Sequence, residues 1–381
     1  MKKVYWRPPN VSRTALALVT VVAMVAHLAV ELMPVRRKQR YYREKITAAR
    51  LARDAMNAIK AERLSRGHKI DPEVDPALTG MIGKSVTAVT SNTGYLTAKL
   101  TSTNPNFAAA TVDMLERAGI ARGEVVAVGV SGSFPALNVS TYAAIQVLGL
   151  VPIVIASISS SEWGANLNDY LWLDMEQTMR AQGMIGFSSH AASYGGIDDL
   201  GIGITKNGRA LLDAARTRNK VSDLSPTSLA DAIDKRMALY EELAGDRAIK
   251  AYINVGGGSA SVGTHVGKKQ FKPGLNRSLP MGVGMADSVM LRFSKRDVPV
   301  IHLSRVKLLA QRYRMPYAPK QLVRIGQGEM FVKTEYNRWL ALIGLIAIFT
   351  AMFAFLRWNI GSRLLTTARD REGAKPLEPM V

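Results

Sequence analysis

The 381-residue chain contains no cysteine. That absence excludes disulfides, thiolate zinc sites, cysteine nucleophiles and cysteine-ligated iron–sulfur clusters together, and it leaves the redox compartment open. Histidine is sparse, and His68, His190, His265 and His302 show no metal-ligand spacing. No metal and no cofactor is therefore expected. No segment carries the full Walker spacing of a glycine four residues before Gly-Lys-Ser/Thr, so an ATP-driven ligase step is not assigned. Acidic residues are outnumbered, thirty against fifty Lys and Arg, giving a formal charge of +20. Such an excess reads as nucleic-acid binding only when it lies on one compact face. Here residues 1–66 carry +11, residues 67–333 carry +7 and residues 334–381 carry +2. More than half the excess flanks one hydrophobic segment, as expected for basic residues drawn to anionic headgroups, so the bilayer and not nucleic acid is the expected partner. With 48% hydrophobic and 21% charged residues, the chain has enough apolar content for a sizeable core.

Long apolar runs are present at both ends. Thr14 to Met33 reads TALALVTVVAMVAHLAVELM, with His27 and Glu31 as its only strongly polar members. At about 1.5 Å per residue, twenty residues span the roughly 30 Å hydrocarbon layer. The run ends at Glu31, Pro34 and Arg36 without a small-residue exit, which predicts an uncleaved anchor. His27 and Glu31 are four apart and share a helix face, Glu31 reaching outward to the headgroups. The second run, Trp339 to Trp358, has an interfacial aromatic at each end. Its Gly344 has no small partner four residues away, so no dimerisation motif is read there. Two spans place both termini on one side. Six basic residues from Arg36 to Lys45 follow the first run, against Lys2, Lys3, Arg7 and Arg13 before it. A short tail with two lysines is nevertheless rarely exported, and long domains translocate largely regardless of charge. The expectation is a cytoplasmic N-terminus and an extracytoplasmic central domain.

The intervening chain divides into a basic helical stalk (35–66), a turn-rich connector (67–105) and an α/β domain (106–332); a tail (1–13) and span (14–34) precede them, and a span (338–358) and tail (359–381) follow. In the domain, a helix from Phe107 leads to the apolar strand Glu124–Val130, a helix ending at Leu148 and the apolar strand Val151–Ser157. This is a βαβ unit, which makes those strands parallel. Ala251–Val255 and Val298–Leu303 read as further buried strands among helices. The predicted fold is an open, mostly parallel Rossmann-like sheet covered on both faces and flanked by two transmembrane helices.

Such sheets bind ligands beyond the carboxyl ends of their strands. The loops there contain Ser131, Gly132, Ser133 and Asn138; then Ser159, Trp163 and Asn166; then Gly256, Gly257, Gly258 and Ser259; and finally His302 at the end of its strand. Small hydroxyl, amide and glycine residues leave backbone N–H groups accessible, which suits carboxylate or phosphate oxygens. The same residues admit a catalytic reading. Gly129-Val-Ser-Gly-Ser133 falls one residue short of a nucleophile elbow, and Ser131, Asp198 or Asp199, and His302 follow the hydrolase chain order, with Ser133 as the alternative nucleophile. The plain alternative is that Ser131 and Ser133 cap the next helix and His302 is an ordinary strand-end residue.

At these loops the sequence resembles the poly-gamma-glutamate system proteins, membrane proteins associated with bacterial poly-γ-glutamate synthesis and export. The blocks are GSFPALN (Gly132–Asn138), SEWGAN (Ser161–Asn166), WLDME (Trp172–Glu176), AASYGGIDDLGIG (Ala191–Gly203), YINVGGGSASVG (Tyr252–Gly263) and PVIHL (Pro299–Leu303). They run through about residues 105–325. The resemblance implies a process and a membrane location, with other membrane subunits of that system and the polymer itself as partners. It supplies no reaction. An accessory binding protein and a serine hydrolase or transpeptidase on γ-glutamyl amides both remain open.

Overall fold

The computed structural model describes residues 13–263, 267–280 and 286–358. The tail lysines Lys2 and Lys3, Arg7, His265 and the tail from residue 359 lie outside these ranges. Two compact units are present: residues 1–37 with 333–381, and residues 38–332.

The first unit is built on the helices Arg13–Leu32 and Arg338–Trp358. Within the second helix the window Arg338–Phe355 has a mean hydropathy of 2.0 and only Gly344 buried, so it is long and apolar enough to cross a membrane. Leu16–Leu32 is a shorter apolar stretch. The two helices pack together, and a Cβ on Gly344 would stand 2.9 Å from Cβ of Ala26. Gly344 thus serves a close crossing between small residues of the same chain. His27 and Glu31 stay exposed. Short strands Val35–Lys38 and Val332–Glu335 pair with one another next to the helix ends.

The second unit contains a seven-stranded sheet of β1 (Val125–Ser131), β2 (Val151–Ser157), β3 (Ala191–Ser193), β4 (Ser222–Asp223), β5 (Ile249–Val255), β6 (Gly274–Asn276) and β7 (Val300–Leu303), in the order β6-β7-β5-β1-β2-β3-β4. All neighbours are parallel except β6, which runs antiparallel to β7. Apolar side chains leave both faces of the central strands because both faces are covered. Val126, Val128, Val154, Ile253 and Ile301 pack toward the helices Tyr42–Ser65, Asn106–Ala118 and Pro135–Leu148. Val125, Ala127, Ile153, Tyr252 and Val300 pack toward Leu229–Ala244 and Val289–Ser294. Pro135 opens its helix at the first turn, and Gly149, at φ 63°, ends it in the left-handed conformation that glycine adopts without strain.

The helix expected as a stalk packs into this core. Along Tyr42–Ser65, Ala48, Ala49, Ala52 and Ile59 are fully buried. Alanines at three- and four-residue steps let the helix approach Asn106–Ala118 and Pro135–Leu148 closely. Its charges are satisfied inside: Lys45 pairs with Asp113 at 2.7 Å, and Arg63 donates to the Gly80 carbonyl at 2.9 Å. The connector is folded as well, with a helix at Leu96–Ser102.

Candidate functional site at the sheet edge

From β1 the chain steps outward through β2, β3 and β4, then returns to the other side of β1 for β5 and β7. The strand order therefore reverses between β1 and β5, the point beyond whose carboxyl ends sheets of this type place a ligand crevice. Two loops border it, Ser131–Phe134 and Gly256–Ser259. Gly256 has φ 92°, and its position brings the loops together: a Cβ there would lie 3.6 Å from Cβ of Ser131 and 3.7 Å from the Phe134 ring. Gly258 faces the Ser157 hydroxyl, 3.9 Å from where its Cβ would be, and Ser259 Oγ donates to the Gly196 carbonyl at 3.1 Å. The loops of Ser131 and Gly256 thus meet at the switch point, with Gly258 and Ser259 beside the Ser157 and Gly196 positions.

The strands end in a row of serines, Ser131 opposite Ser157 and Ser157 opposite Ser193. Ser157 and Ser193 surround a fully buried ion pair. Arg236, rising from the helix Leu229–Ala244, donates from Nη2 to Asp199 at 2.8 Å, to Ser193 Oγ at 2.7 Å and to Ser157 Oγ at 3.2 Å. Both serine hydroxyls donate in turn to Asp199 Oδ1, at 3.1 and 2.8 Å. Burial opposes the charge on Arg236, but Asp199 beside it holds the guanidinium protonated and raises its pKa overall. Asp199 and Asp198 sit at φ 66° and 52°, a turn conformation that aspartate tolerates better than most residues.

This network dissolves the Ser–Asp–His arrangement expected from chain order. Asp199 is committed to Arg236, Ser157 and Ser193. His302 is buried, with the Asn254 amide nitrogen 2.9 Å from Nδ1 and Ser304 Oγ 2.5 Å from Nε2. Both ring nitrogens of His302 are thus engaged, by the Asn254 amide and the Ser304 hydroxyl. Ser131 Oγ accepts from the Ser133 N–H at 3.2 Å. Neither serine caps the next helix; Phe134 holds the N-cap position without a side-chain bond.

The loop after β2 is used structurally. Asn166 is buried, accepting from the Lys84 N–H at 2.9 Å and donating to the Lys84 carbonyl at 2.7 Å, which ties the loop to the connector. Trp163, at φ 64°, joins the same seam through its backbone, with Gly83 and Lys84 as partners. Gly132 is covered, since a Cβ there would meet the Ile158 carbonyl at 2.7 Å. Ser133 Oγ accepts from the Ser161 N–H at 3.0 Å. Asn166, Trp163, Gly132 and Ser133 therefore help to hold the edge together.

Lys99 lies beneath this seam and was not among the expected residues. Its ammonium donates to the Ser133 carbonyl, lies 2.8 Å from Ser161 Oγ and stands 4.1 Å from the Phe134 ring centroid. Burial pushes its pKa down to about 7, with Glu162 acting in the opposite direction. The only sequence signal was a lone lysine inside an apolar-flanked helix, LTAKLTS. Arg236 gave no signal, because its partners are 37 to 79 positions away.

Two kinds of unsatisfied group remain at the edge. The backbone N–H groups of Gly257, Gly258 and Ser259 have no acceptor among the described residues. Ser159 Oγ and Asn138 Oδ1 are buried without a partner, although Asn138 Nδ2 donates to the Ser131 carbonyl at 2.9 Å. Buried polar atoms in folded proteins nearly always have partners, so these positions are suited to water or a polar ligand. No family model matches the chain, and comparison with curated proteins and with solved structures finds no match.

Proposed function

We propose that the chain is a membrane-anchored accessory component of a poly-γ-glutamate synthesis or export system, with both apolar helices in the bilayer and the α/β domain holding an anionic ligand at the β1/β5 crevice. The ligand class is a glutamate polymer or a phosphate-bearing group. The observation that carries this reading is the run of N–H donors from Gly257 to Ser259 beside Ser131 at the switch point, where carboxylate or phosphate oxygens fit. The +7 balance of residues 67–333 favours a polyanion, and the sequence blocks named above direct the choice toward polyglutamate.

The competing reading, a serine hydrolase or transpeptidase on γ-glutamyl amides, moves from Ser131 and His302 to Ser161, whose hydroxyl lies 2.8 Å from the near-neutral Lys99 amine. What it lacks is an oxyanion hole. The N–H groups of Ser161, Glu162, Trp163 and Gly164 are bonded to Ser133 Oγ, Asn92, Lys84 and Ser161 carbonyls respectively. The binding reading therefore leads.

Titration of the detergent-solubilised full chain with poly-γ-glutamate tests both. Binding should weaken with added salt, and Gly258→Leu, which fills the crevice at a φ of −59° open to any residue, should abolish it. Ser161→Ala should leave binding and polymer output nearly unchanged. Loss of output with Ser161→Ala and with Lys99→Met, while binding persists, would transfer the case to the enzyme.

A further inference from the structure

The helical unit contains a recess of about 380 Å³ lined by Val35, Arg37, Glu335, Tyr336, Asn337, Arg338, Trp339 and Leu342. One wall is apolar: Leu342 and Trp339 belong to the exposed helix Arg338–Trp358. The lining also carries two cations, Arg37 and Arg338. Glu335 lies 3.6 Å from Lys333, so the recess's carboxylate already has a cation. Arg37 and Arg338 form no ion pair among the described residues. Asn337 caps the helix by accepting from the Trp339 and Leu340 N–H groups at 3.1 and 3.2 Å, which places the positive end of a 21-residue helix at the same spot. Tyr336 and Trp339 are 61% and 75% exposed, the amphipathic rings that lie at headgroup level.

We propose that this recess binds an anionic phospholipid, Arg37 and Arg338 gripping the headgroup phosphate while an acyl chain runs along Leu342. Two guanidinium groups without carboxylates supply the forked donors that phosphate oxygens accept, and the exposed helix supplies the apolar continuation. A free inorganic phosphate would satisfy only the first half. The site rests on the membrane-anchored reading and is independent of the crevice in the other unit.

The test uses the full chain in nonionic detergent, titrated separately with phosphatidylglycerol and phosphatidylcholine of equal chain length, with bound lipid counted by native mass spectrometry. Phosphatidylglycerol should bind more tightly. Arg37→Gln and Arg338→Gln should each weaken it about fivefold, the factor a basic residue beside an anionic headgroup contributes, and leave phosphatidylcholine unchanged. Membranes carrying each variant are washed in high salt in parallel. If the wild type washes off, the anchored reading fails and the site with it. If it stays while the two lipids bind alike, or while the double variant binds phosphatidylglycerol like the wild type, the anchor stands and the lipid site is overturned. Complete displacement by inorganic phosphate also overturns the lipid assignment.

Discussion

Lys99 is a charged residue placed where charge is costly, and its proton couples the domain to pH. Its folded pKa of about 7 lies below the lysine value of 10.5, so between those limits the unfolded chain holds more protons than the folded one. Stability must then rise with pH across that window and lose this contribution as pH falls through 7. Urea unfolding at pH 7 and pH 9 should differ by about 2 kcal/mol in favour of pH 9, and Lys99→Met should remove the difference. An unchanged slope in the variant would mean that another group titrates. Residues of this kind were the least legible in the sequence. Ser131, Gly256 and Ser259 could be placed at the edge because they follow apolar strands, and a parallel sheet delivers such loops to one side. Lys99 and Arg236 depend on partners 34 to 79 positions away, and Asp199 on Arg236 and Ser157 at 37 and 42, which no local pattern encodes.

Among the elements, those long enough to show a period were readable. β1, β2 and β5 are seven-residue apolar runs, whereas β3, β4 and β6 have three, two and three residues, too short for any alternation to register. The period of the helix Tyr42–Ser65 is legible, but its buried stripe is largely alanine, which carries little hydrophobic weight and so does not announce how closely the helix packs into the domain. The same property governs Ala26 and Gly344. A chain without cysteine makes their contact directly testable: Ala26→Cys with Gly344→Cys should cross-link on mild oxidation, and Gly344→Leu should separate the helices and suppress cross-linking between cysteines placed one turn away. Failure of the first pair to cross-link would refute the crossing.

For the molecule as a whole, the expectation of a domain outside the cytoplasmic membrane rests on the short two-lysine tail and on the ease with which long domains translocate, against the larger basic cluster that follows the first run. Phosphatase fusions after Gly67 should be active and fluorescent-protein fusions dark; the reverse pattern would place the domain in the cytoplasm. The Gln39 N–H donates to the Phe331 carbonyl at 2.9 Å, so the first and last residues of the 38–332 unit are fastened side by side. A unit whose ends meet closes its own loop, and the chain beyond them adds little to its folding entropy. With its two ends adjacent, the 38–332 unit has the geometry of a segment that can be set into a surface turn of an unrelated host.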